Sequence, residues 1–358
     1  MIQRFTFGCP LPTESVVLPV EPAAAAVPYL TAEPDGSWSF SLAEDAVVYG
    51  LGEMPRGINK RGWHYVTDNT DESRHGENRL SYYGAHNFLL IDGGAGRSIF
   101  GVFVDFPGKV FYDIGYTRHD RLTFRTEEPD YDLYILTGDS PNAVCTEFRK
   151  LIGHSYIPPK WAFGFAQSRW GYKTEEDVRE VARQYKEHDL PLDMICMDIE
   201  YMQDYADFTV NKERFPDLAK LSADLKAQGI RLVPIIDAGV RIDPNDPTCT
   251  EGLEKGYFCK KADGTPFVAA VWPGKAYFAD FLRPEVREWF GHKYKALTDC
   301  GIEGFWNDMN EPSLFYSPER LRAFLNDMAA LREKETAWHT YADAVGRVLG
   351  GGACCAGT

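Results

Sequence analysis

The chain has 358 residues, 44% hydrophobic and 25% charged, a size and balance that provides for two domains with separate cores. Its 38 Lys and Arg are outnumbered by 53 Asp and Glu, giving a formal charge of −15. That balance argues against nucleic acid and anionic membrane surfaces as partners, because both are recognised through clustered cations, and leaves a neutral polar ligand such as an oligosaccharide compatible.

The opening residues, MIQRFTFGCPLP, lack the apolar core of a signal peptide. Up to about residue 140, short apolar or aromatic runs alternate with turn residues. Strands are expected at 37–42, 87–92, 98–105, 109–113, 121–125 and 131–136, with period-two alternation clearest in LTFRT. Many short strands with regular turn punctuation predict an antiparallel β-sandwich. Residues 59–81 are polar and too long for a hairpin, and read as a functional or surface loop. Helical spacing of Ala143, Val144, Phe148, Leu151 and Ile152 predicts a helix over 141–153, which Pro158-Pro159 follows. The boundary is placed there, giving domains 1–157 and 158–358.

Beyond residue 160 apolar runs alternate with amphipathic stretches. Run 162–166 precedes a helix at 174–188, 193–197 precedes 218–228, 231–236 precedes 284–299, and 304–306 precedes helical material from residue 318. Repeated strand–helix units predict parallel strands joined by right-handed crossovers. The second, third and fourth runs end at Asp198, Asp237 and Asp308, and the first runs into Gln167-Ser168-Arg169-Trp170. In a (β/α) barrel the ends of the strands carry the catalytic groups. One such Asp could equally cap a helix, but three in succession, interleaved with Trp170, Tyr201 and Trp306, point to a site for a polar substrate. The aromatic content of 14% could serve either a core or the stacking of sugar rings.

Several blocks resemble glycoside hydrolase family 31, the retaining α-glucosidase-like enzymes. PPKWAFGFAQSRWGY at 158–172 resembles the opening of that family's barrel. DLPLDMICMDIEYMQDYADFTVNKERFPD at 189–217, VPIIDAGV at 233–240, VWPGKAYFADF at 271–281 and GFWNDMNEPS at 304–313 resemble the blocks that follow, in order. YGLGE at 49–53 and the NTD of 69–71 are similar to landmarks of the family's N-terminal sandwich. The resemblance implies a β-sandwich followed by the first four βα units of a (β/α)8 barrel. It implies Asp308 as the nucleophile, Asp198 as a carboxylate holding sugar hydroxyls, and Trp170, Trp272 and Trp306 as walls of the sugar subsite. Met309 would flank the nucleophile, Asp71 would contact substrate, Asp237 would bind sugar or support the strand end, and Glu311 would be a supporting hydrogen-bonding residue. QSRWGY and the DFT of 207–209 lean toward a glucose-type subsite rather than a xylose-type one.

The chemistry accounts for these residue types. Cleaving a glycosidic bond passes through an oxocarbenium-like transition state, and retention needs an attacking carboxylate with an acid about 5–5.5 Å away. No cofactor is required, and the eight His show no metal-ligand spacing, so no metal is expected. The eight Cys form no CxxC pair, which predicts free thiols and a cytoplasmic setting. No apolar run approaches the roughly 18 residues of a membrane span. The family's acid/base block, a Gly-Asp segment after a later strand, has no counterpart after Asp308, and Gly138-Asp139-Ser140 reads as a turn. The expectation is a truncated barrel with crippled turnover, or a carbohydrate-binding or inactive fragment. Its open edge would favour self-association or pairing with a complementary chain. Asn307 stands where the family has an apolar residue, and Glu200 replaces an Asp.

Overall fold

The alternating runs of the first 140 residues form strands, and in Val110–Ile114 and Arg121–Thr126 the buried positions follow the period of two. The structure, a computed structural model, describes residues 1–71, 75–94, 96–311, 313 and 314. These divide into two units, the first Met1–Phe163 with Met309–Ser313, the second Gly164–Asp308 with the chain from Leu314. The division falls a few residues beyond 157.

The described strands of the first unit are β1 (Ile2–Phe7), β2 (Thr31–Ala32), β3 (Trp38–Ser41), β4 (Val47–Gly52), β5 (Trp63–Thr67), β6 (Ala85–Asp92), β7 (Ile99–Asp105), β8 (Val110–Ile114), β9 (Arg121–Thr126) and β10 (Tyr131–Thr137). They make two antiparallel sheets, ordered β1-β10-β7-β6-β4 and β2-β3-β9-β8-β5. Val110, Tyr112 and Ile114 of β8 and Leu122 and Phe124 of β9 point inward, where they share a core with Leu89, Ile91, Val102, Leu133 and Ile135 of the other sheet. β10 is buried on both faces because helix α1 (Pro141–Ile152) covers its outer side, Val144 and Leu151 packing with Tyr134 and Leu136. Phe148 of that helix stacks on Phe88 at 3.9 Å. Gly101 permits the close approach, since a Cβ there would lie 2.9 Å from both Phe88 and Val144. Ser140 caps the helix by accepting from the amide of Ala143, and Pro141 opens it.

The second unit contains β11 (Ala166–Arg169), α2 (Glu175–Glu187), β12 (Met194–Met197), α3 (Leu218–Lys226), β13 (Arg231–Asp237), β14 (Gly239–Arg241), α4 (Pro247–Glu254), β15 (Ala269–Val271), β16 (Gly274–Phe278), α5 (Pro284–Lys293), α6 (Lys295–Thr298) and β17 (Trp306–Asp308). β11-β12-β13-β17 form a parallel sheet in that order, and β14-β16-β15 an antiparallel one. This is a partial (β/α)8 barrel. Ile195 and Met197 of β12 and Leu232 of β13 pack with Val178 and Ala182 of α2 and Leu221 and Leu225 of α3. Thr174 and Asp177 close a reciprocal capping box at the start of α2, which fixes where that helix begins.

Several elements differ from expectation, among them β14, α4, β15 and β16, which fill the long stretch between the third strand and the helix expected at 284. The first barrel strand lies at Ala166–Arg169 rather than 162–166, because Pro159 launches a 3-10 turn over Lys160–Phe163, its carbonyl accepting from the amide of Ala162. The polar segment 59–81 contains β5, which pairs with β8 along its whole length and buries Tyr65. Cross-strand pairing outweighs the polar flanks there. The helix expected over 284–299 is split at Tyr294. Helical material from residue 318 lies outside the described residues.

Candidate active site

Parallel pairing brings the strand-end carboxylates of the second unit together. Asp237 is the register partner of Asp308, as Ile235 is of Trp306. Register partners on adjacent parallel strands project from the same face, with the strands about 4.8 Å apart. Asp198 follows the last residue of β12, and Asp308 acts electrostatically on its carboxyl and on that of Asp237. The three carboxylates singled out in the sequence thus stand at the ends of adjacent parallel strands, near enough to act on one another electrostatically.

Burial sets their electrostatics. Burial pushes the Asp198 carboxyl above the ordinary carboxylate range, and the charge of Asp308 adds to this, while an Ile199 amide at 2.8 Å pulls it back. Asp237 is 2% exposed, and burial followed by the charges of Asp308 and Asp198 raises its carboxyl to about 7. Asp207 was not among the expected site residues, although the DFT segment that holds it was noted. It is buried, its Oδ1 accepting the Asp237 amide at 3.0 Å, and burial and then the Asp237 charge raise it well above the usual range. Thr209 shapes its loop, accepting from the Gln203 amide at 2.9 Å and donating to the Ala206 carbonyl at 2.6 Å. Only folding reveals Asp207 as a neighbour, since it lies 30 positions from Asp237.

The aromatic residues occupy different places. Trp170 follows β11 and is 56% exposed. Trp306 lies on β17 and is half-buried against the core. Trp272 sits in the turn between β15 and β16, off the parallel sheet, and is 37% exposed. Its hairpin packs closely on the chain that continues from Asp237, where a Cβ on Gly239 would meet Val271 at 2.4 Å. Tyr201, fully buried, donates to the Ile235 carbonyl at 2.7 Å and so ties the turn after Asp198 to β13.

The remaining candidates belong to the first unit. Asp71 accepts from the Ser313 hydroxyl at 2.8 Å. Met309 has φ 61, in the left-handed region, so the chain turns sharply right after Asp308. Glu311 borders a shallow cavity with Asn69, Asn87 and Lys109.

Two departures from the family pattern find partners. The Asn307 side chain faces away from Asp308 along the strand alternation and accepts the Tyr294 hydroxyl at 2.6 Å. Glu200 is buried at 2% exposure and ion-paired with Arg214 at 3.1 Å. Its extra methylene is used to reach that guanidinium.

Known proteins share these features. Residues 155–343 match the glycosyl hydrolases family 31 TIM-barrel domain, and residues 28–113 match the glycosyl hydrolase 31 N-terminal galactose mutarotase-like domain. Alpha-glucosidase 2 of Bacillus thermoamyloliquefaciens is 43% identical over 279 residues, which is 77% of this chain and 35% of that protein. Alpha-xylosidase 1 of Arabidopsis thaliana is 34% identical over 285 residues, 78% of this chain and 31% of that protein. The Flavobacterium johnsoniae GH31 dextranase, solved with isomaltotriose, superposes with a TM-score of 0.73 at 25% identity, covering 82% of this chain and 36% of the dextranase. The chain therefore spans about a third of the length of each of these relatives. With a barrel-domain match over more than half of its residues, the chain belongs to glycosyl hydrolase family 31.

Proposed function

We propose that the second unit acts on terminal α-glucosidic bonds by a retaining double displacement, with Asp308 attacking the anomeric carbon. The observation that carries this reading is the register pairing that sets Asp308 beside Asp237 at the ends of parallel strands, within electrostatic reach of Asp198. An oxocarbenium-like transition state needs an anion at the anomeric carbon, and Asp308 supplies it. Asp198 is proposed to accept sugar hydroxyls, and the exposed faces of Trp170 and Trp272, with Trp306, to flank the ring. The proton donor for the leaving oxygen is left unassigned, so the test uses a leaving group that departs unprotonated.

α-Glucosyl fluoride meets that condition. The wild-type chain is expected to release fluoride, and Asp308→Ala to lower the rate by about a thousandfold or more, the scale on which loss of a catalytic nucleophile acts. Equal release by the two proteins would overturn the assignment. A second reading, specificity for xylose, draws on the likeness to the plant alpha-xylosidase. Faster release from α-xylosyl fluoride than from the glucosyl compound would favour it.

A further inference from the structure

Asp237 and Asp207 are 2% and 5% exposed, and they meet through the Asp237 amide, which donates to Asp207 Oδ1. Neither oxygen of Asp237, nor Oδ2 of Asp207, has a hydrogen-bond donor among the described residues. The groups acting on Asp237 are Asp308 on β17 and Asp198 after β12. Those acting on Asp207 are Asp237 and Asp246, the residue that caps α4. Asp207 in turn bears on the hydroxyls of Tyr201 and Tyr294. Among the described residues the influences on the pair are thus carboxyls and phenols.

Anions this crowded and this dry do not all persist. Burying an unpaired carboxylate is unfavourable, and close like charges drive one another to take up protons. If the carboxyls must hold a proton, burial decides which of them holds it. The most buried members, Asp207 and Asp237, lie farthest from water, which makes them the natural holders.

We propose that Asp237, backed by Asp207, is a positioning residue that works as a neutral acid, so that no second negative charge presses on Asp308 and the nucleophile stays in place. When Asp237 ionises, a further negative charge appears beside Asp308 and the carboxyls are pushed apart. A misplacement of about 1 Å at a reacting group is enough to cost a large factor in rate. This rests on the glycosidase reading for its consequence, but the protonation of Asp237 can be tested without it.

Two measurements test the proposal. Infrared titration of the whole chain should show, among its protonated-carboxyl C=O bands, a component that disappears with a midpoint near the value of about 7 at Asp237; that titrating component should be absent from Asp237→Asn, while absorption from the buried Asp207 carboxyl is left in place. Asp237→Ser is a second neutral replacement should the first fail to fold. A wild type without the component that titrates near that midpoint, or the same titrating component in both variants, overturns the proposal. Second, the rate of covalent labelling by 5-fluoro-α-glucosyl fluoride should fall several-fold across the same midpoint in wild type, with that inflection missing in the neutral variants. Labelling without the inflection overturns the positioning role and leaves the glycosidase reading standing. A titrating band with no labelling at any pH sustains the proton on Asp237 and sinks the glycosidase reading and the positioning role with it.

Discussion

At the scale of single residues, the cost of Asp237 is itself measurable. Its carboxyl is raised to about 7 in the folded chain against an ordinary value of 3.8. An acid whose folded value is raised stabilises the fold through proton binding. That contribution is complete below about pH 3.8 and is lost as pH climbs through about 7. Asp237→Asn should therefore gain stability relative to wild type as pH rises from 4 to 8, by roughly 4 kcal/mol at most. Urea denaturation of both proteins at the two pH values checks this, and a pH-independent difference would contradict it. Asp198, Asp237 and Asp308 were legible in the sequence because each ends an apolar run. Asp207 was not, because its partner is reached only through a loop that folds back onto β13. The roles of Glu200 and Asn307 were equally hidden, since a polar residue in an apolar pattern reads as a departure until Arg214 and Tyr294 are seen beside it.

Among the elements, the junction of β13 and β14 joins the strand-end carboxylates to the hairpin that carries Trp272. The space above Gly239 is already filled by Val271, Ala276 and Phe278. Gly239→Val should force β15 and β16 away and lower stability by about 1–3 kcal/mol, the usual cost of overpacking. Quenching of Trp272 fluorescence by acrylamide, read as a difference from a Trp272→Phe control, should rise in the same variant. Unchanged quenching would show that the hairpin is indifferent to that contact. Strand boundaries in the sandwich were legible wherever alternation is strong, as in β9. β5 escaped notice because its five residues are flanked by polar sequence, and only pairing with β8 reveals them. β11 was misplaced because the apolar run AFGFA precedes the strand, whose own residues are the polar AQSR.

For the molecule as a whole, two separate cores imply separate responses to damage. Leu133 is fully buried between the sheets of the first unit, and Leu221 is fully buried beneath the parallel sheet of the second. Leu133→Ala and Leu221→Ala should each cost about 2–5 kcal/mol, the range for truncating a buried leucine. Hydrogen-exchange mass spectrometry should show lost protection concentrated in residues 85–137 for the first and 175–237 for the second, and uniform loss for either would argue against two cores. The first unit also claims a stretch far along the polypeptide, Met309–Ser313, whose serine hydroxyl serves Asp71. Dissection of the gene must respect that stitch. A piece ending at residue 163 would keep Asp71 and lose the group that steadies it, so grafting this sandwich onto another scaffold calls for carrying over a tether from beyond the nucleophile as well.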